Sequence, residues 1–135
     1  AQPWSFVVVE DQAIVPEVAK CGQQNGMNSY ASKARAFIVV LEEHAVLMPA
    51  LRHTLDSQYF AKGDLGAAVL SVCFQAESVG LGTCILGIYD REKLCELLDI
   101  PRDKQFGGLI AVGYPSQDKV RSKARKSLEE IVRYV

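Results

Sequence analysis

The densest group of chemistry-bearing side chains lies near the C-terminus, where Lys119-Val-Arg121-Ser-Lys123-Ala-Arg125-Lys126 sets five cations in eight residues with no carboxylate among them. Taken alone, such a run reads as a solvated surface. Lys123 and Arg125 are two apart, so in an extended segment they project to the same side and could grip one phosphate from adjacent points. The chain as a whole is slightly acidic, with 15 Lys+Arg against 16 Asp+Glu and a formal net charge of −1, and it offers no base-stacking or groove-reading motif. A small phosphorylated ligand suits this local cluster better than a nucleic acid.

A second candidate is Gly80-Leu-Gly-Thr-Cys-Ile-Leu-Gly87. A dinucleotide loop has its glycines after a strand and before a helix, so that the helix N-terminus meets the pyrophosphate. Here the glycines follow a helical stretch and open a strand. Two readings stay open: a helix stop at Gly80 with a tight turn at Gly82, or close backbone approach to a flat ligand at Gly87, which has no Cβ.

Other chemistry is sparse. No Gly-x-Ser-x-Gly elbow occurs. His44 and His53 read as surface or structural residues. Glu77, at the end of an apolar helix, is the candidate for a partly buried carboxylate in an ordinary hydrogen-bonded role. The four cysteines, Cys21, Cys73, Cys84 and Cys95, form no Cys-x-x-Cys pair. They read as buried, reduced thiols of a cytoplasmic protein, and no zinc set can be assembled from them and the two histidines.

The elements that must carry these residues follow from apolar patterning. The 135 residues, 49% hydrophobic and 23% charged, fall in the globular band and suffice for one domain. The longest apolar runs, Phe6–Val9 and Ala36–Leu41, are far short of the ~20 residues that span a bilayer. Strands are expected at Trp4–Val9, Arg35–Leu41, Thr83–Tyr89 and Leu109–Val112 within Phe106–Tyr114. The unbroken apolar run of the second suits a strand covered on both faces. Asp11 reads as the cap of a first helix that Pro16 could kink or shorten. His44–Leu55 could be helical but for Pro49. Asp64 reads as the N-cap of an apolar helix through Ser78, which belongs in a core or an interface. Asp90 caps a helix through Leu98, and Ser127–Tyr134 closes the chain with another. The mixed order of elements predicts one α+β domain with a three-layer α/β/α arrangement. The chain enters its first strand within a few residues, and its start reads as incomplete.

Six segments taken together resemble the FMN-dependent nitroreductase family. They are Gln2-Pro3-Trp4 running into Phe6–Val9, Asp64-Leu-Gly66 heading an alanine-rich helix, Gly80-Leu-Gly-Thr-Cys84 with Ile85-Leu-Gly87, Ile100-Pro101, Gly113-Tyr-Pro115, and Lys123-Ala-Arg125-Lys-Ser-Leu128. They stand in family order over nearly the whole chain. The resemblance implies a mainly antiparallel central sheet and a homodimer with FMN at its interface. Hydride would pass from NADH or NADPH through the flavin to a nitroaromatic, quinone or related acceptor, with no membrane or nucleic-acid partner. It also implies cofactor-binding roles: Lys123 and Arg125 at the phosphate, backbone around Ile85, Leu86 and Gly87 at the isoalloxazine, and Gln2, Pro3 and Trp4 at the pocket edge. Asp64 would cap the interface helix. No side-chain acid or base is implied. The family's Arg/Ser-rich N-terminal segment and its Ser-x-Asn motif before Gln-Pro-Trp are not in this chain, so these eight residues would be the C-terminal portion of a larger set. The alternative is a non-catalytic, degenerate flavin-binding protein of the same fold.

Overall fold

The computed structural model describes residues 2–52, 56, 58–116 and 122–135. His53, Lys119, Arg121 and the end of the expected helix at Leu55 lie outside the described residues. Four strands, β1 (Trp4–Val9), β2 (Ala36–Glu42), β3 (Gly82–Leu86) and β4 (Phe106–Gly113), form a sheet in the order β1-β2-β4-β3. Every neighbouring pair is antiparallel.

Helices cover both faces, so the expected three layers are present. On one face α1 (Val15–Cys21) and α3 (Arg91–Leu98) bury Val18 and Leu94 against Phe37, Val39, Leu86 and Leu109. On the other, Leu65 and Val69 of α2 (Ala61–Ser78) pack on Val40 and Ile110. β2 contributes to both clusters, which is why its apolar run does not alternate.

The helix starts are where local signals and structure part. Asp90 caps α3 as expected, its carboxylate accepting the Lys93 N–H at 3.0 Å. Asp11 does not cap a helix. Its side chain accepts the Ala13 N–H and its carbonyl those of Ile14 and Val15, making a turn ahead of α1. Pro16 therefore falls in the first helical turn, where a missing N–H and a fixed φ are compatible with a straight start. Asp64 is likewise not a cap: α2 begins at Ala61, which is fully buried, and Asp64 sits inside its first turn. Favourable charge near the N-terminus is what remains of its role.

One possible helix, interrupted by Pro49, and one expected helix are shorter than their segments. His44–Leu55 holds only a short 3-10 turn at Pro49–Leu51 among its described residues. The closing helix, α4, covers Leu128–Ile131, started by a capping box between Ser127 and Glu130. β3 stops at Leu86 rather than Tyr89, because Asp90 must turn out to start α3. Gly80 ends α2 with φ +80°, the left-handed stop expected of it, and Leu81 N–H returns to the Ala76 carbonyl at 2.9 Å. Gly82 is not a turn residue but the first of β3, opposite Gly113.

Gly22 ends α1 where the chain passes close over the sheet. A Cβ there would stand 2.8 Å from Cδ1 of the fully buried Leu86, so that side chain would have to shift within a packed core. Gly22→Ala is expected to cost about 1–3 kcal/mol, the range for overpacking a filled core, read as a lowered urea midpoint with an unchanged slope.

Candidate functional site

Ile85 and Leu86 are neighbours on β3 and so point to opposite faces. Leu86 is 1% exposed, in the α1/α3 cluster, and can offer a ligand only its backbone. Ile85 is 52% exposed on the α2 face, opposite Ile110 of β4. Continuing the register beyond Leu86–Leu109 brings Gly87 beside Gly108, which itself faces Val40 of β2. A Cβ at Gly87 would meet nothing within 4 Å. Two adjacent positions without side chains thus make a flat, open step at one end of the sheet, flanked by Ile85.

The neighbouring bulge shapes that step. Val40 pairs with Gly108 but Leu41 with Phe106, leaving Gly107 as the extra residue. A Cβ on Gly107 would lie 3.0 Å from Leu65 Cδ2 and 3.2 Å from Val40 Cγ1, so its absence lets α2 seat on the sheet. Gly107 and Gly108 were not among the expected site residues. The signal for them is a glycine pair inside an apolar strand, which marks a bulge or a close approach.

The segment after Gly87 is fastened from three directions. The Asp90 N–H donates to the Cys21 carbonyl at 2.9 Å. Tyr89 stacks on Phe106 with centroids 5.9 Å apart, and the Arg91 guanidinium lies 5.4 Å from the same ring. Burial pushes the Tyr89 phenol up, against a smaller downward pull from Arg91.

Gln2, Pro3 and Trp4 sit at the same end of the sheet but at its opposite edge. Three strand spacings, about 14 Å, separate the β1 and β3 edges. Gln2 is exposed, Pro3 is buried, and Trp4 is half-buried on the α2 face beside Val40 and Ile38. The Pro3 carbonyl accepts the Glu43 N–H at 2.8 Å, and Glu43 Oε1 accepts the Ser5 hydroxyl at 2.6 Å. The other Glu43 oxygen pairs with Lys104 Nζ. Hydrogen bonds from Lys104 and then Ser5 hold the Glu43 carboxyl below its ordinary value. A depressed carboxyl pKa adds stability that is present above the unfolded value and is lost as pH falls through the folded one.

Lys123 and Arg125 are not brought to this end of the sheet by any hydrogen bond or ion pair among the described residues. Both are exposed, and Arg125 Nη1 donates only to the adjacent Ala124 carbonyl at 3.1 Å. Glu77 is exposed rather than partly buried, because it lies on the outer side of α2, and His44 is exposed too. All four cysteines are free thiols, but only Cys21 and Cys95 are buried; Cys73 and Cys84 are half-buried. The described residues contain no cluster able to hold a metal ion, and none of their helices is long and apolar enough to cross a membrane.

Comparison with known proteins decides the family. The model of the Nitroreductase family matches residues 1–114. The chain belongs to the nitroreductase family. An Archaeoglobus fulgidus protein described as an NADH dehydrogenase/NAD(P)H nitroreductase is 30% identical over 122 residues, 87% of this chain and 64% of that protein. The chain therefore spans a little under two thirds of that relative's length. The nitroreductase-family fold is shared with solved structures. A nitroreductase family protein from Streptococcus pneumoniae superposes with a TM-score of 0.76 at 20% identity, covering 98% of this chain and 78% of that one. A nitroreductase from Exiguobacterium sibiricum, solved in complex with FMN, gives 0.75 at 16% identity, covering 98% and 76%.

Proposed function

We propose that this nitroreductase-family chain binds FMN and serves an oxidoreductase that moves hydride from NAD(P)H to a nitroaromatic, quinone or related acceptor. The observation that carries the reading is the open glycine step at Gly87 and Gly108 beside exposed Ile85, where a planar ring can lie against backbone. The residues present fit the cofactor there: Ile85 and Trp4 offer apolar contact on the same face, and backbone at Ile85–Gly87 offers its edge. Bound FMN would supply the redox chemistry, taking hydride from the nicotinamide and passing it on. The chain's own part is to bind, orient and shield, with no side-chain acid or base assigned. Lys123 and Arg125 supply the phosphate contacts in this reading. Exposed Leu70 and Phe74, 51% and 63% accessible on α2, support pairing of two copies through that helix. A cytoplasmic setting is in keeping with four free thiols.

The test is the visible spectrum of the protein with FMN. Bleaching of the flavin band by NAD(P)H and its return on adding a nitroaromatic or quinone is the expected result; no flavin uptake overturns the proposal. That no hydrogen bond or ion pair among the described residues ties Lys123 and Arg125 to the glycine step favours a second reading, flavin held without turnover, which the same assay identifies as binding with no bleaching. Lys123→Ala with Arg125→Ala is expected to weaken FMN by about 1.5–3 kcal/mol for each charge-assisted bond lost, and an unchanged titration would remove both residues from the site.

A further inference from the structure

The two parts of the proposed flavin site stand at opposite edges of the sheet, yet one chain of contacts joins them. From the β3 side, Tyr89 and Arg91 both engage the Phe106 ring. Arg91 Nη2 donates to the Lys104 carbonyl at 2.6 Å and also to the Arg102 carbonyl. Lys104 Nζ then meets Glu43 Oε2. From Glu43 the path reaches the start of the chain twice, through its N–H to Pro3 just ahead of β1 and through its carboxylate to Ser5 within it. Those two residues flank Trp4.

Glu43 is placed for more than a surface ion pair. Its side chain is 33% exposed and that of Lys104 29%, so both charges are partly withdrawn from water, where pairing matters more than between fully solvated groups. It spans three separate stretches of chain: the start of β1, the end of β2 and the approach to β4. A carboxylate bonded at both oxygens, with its own N–H committed, has little freedom left to move.

We propose that Glu43 is a positioning residue of the flavin site, fixing Pro3–Ser5 and hence Trp4, and tying that segment through Lys104 and Arg91 to the Tyr89 turn beside Gly87. This rests on the flavin reading above. Glu43 touches neither cofactor nor substrate in this role; it sets the span between the two edges of the pocket.

Trp4 is the sole tryptophan, so its emission reports the segment with or without flavin. In the full chain, Glu43→Gln keeps an acceptor for Ser5 and loses the charge that meets Lys104. With far-UV circular dichroism as for the native chain, Glu43→Gln is expected to shift Trp4 emission to longer wavelength and to weaken FMN about tenfold, the scale of one charge-assisted contact. Lys104→Met should reproduce both changes, and the double variant should be no worse than either single one, since both remove the same link. Unchanged Trp4 emission in Glu43→Gln and Lys104→Met overturns the hold on the segment. Displaced Trp4 emission with native FMN affinity overturns its bearing on the flavin. A native chain that takes up no FMN overturns the flavin reading and the positioning role with it, and the Trp4 signal then still shows whether Glu43 fastens β1.

Discussion

Gly87→Val is expected to fold as the native chain does and to bind FMN about ten- to a hundredfold more weakly, the effect of forcing about 1–3 kcal/mol of overlap into a ligand's space. The fold should tolerate it because nothing lies within 4 Å of the new Cβ and Gly87 is not among the positive-φ glycines. The contrast with Gly108 is useful. There φ is +154° and a Cβ would touch Ile85 Cγ2 at 3.9 Å, so a substitution strains the backbone whether or not a ligand is bound. Parallel urea melts and FMN titrations separate the two effects. Native affinity in Gly87→Val would show that the flat step is not where the ring lies.

The largest loss of stability is expected at Phe37. Its ring is wholly buried in the α1/α3 cluster, between Val9 of β1 and Ala111 of β4. Phe37→Ala removes that volume from a packed core and is expected to cost about 3–5 kcal/mol, a large share of the roughly 5–15 kcal/mol that holds a domain together. Urea denaturation followed by circular dichroism measures it. Because Phe37 faces away from α2, FMN affinity under conditions where the variant remains folded should stay at the native value.

Strands were legible from the sequence because each is a dense apolar run, and β1 has the boundaries its residues suggest, Trp4–Val9. Asp90 was legible because a cap is a local interaction, complete within one turn. Asp64 misled for a tertiary reason. Burial of Ala61 extends α2 one turn toward its N-terminus, past the residue with the better capping side chain. The site divides the same way. Gly87 is visible as a residue type that permits close approach, whereas the β3–β4 register that brings Gly108 beside it, and the bulge against β2 that follows at Gly107, depend on strand pairing and cannot be read from one strand alone. Glu43 was invisible in sequence: a carboxylate after an apolar strand looks solvated, and its partners Ser5 and Lys104 are 38 and 61 residues away. Lys123 and Arg125 are conspicuous as a pair, but nothing local determines where an extended basic segment comes to rest.

The central claim is that flavin lies on the α2 face at the end of the sheet shared by Gly87 and Trp4. Trp4 stands within about three strand spacings of that step, near enough for a bound flavin to quench its emission. Titrating the native chain with FMN while following Trp4 fluorescence tests this most directly. Saturable, stoichiometric quenching that is weakened in Gly87→Val is the predicted result; emission that does not respond to FMN, or a response that Gly87→Val leaves untouched, would contradict it.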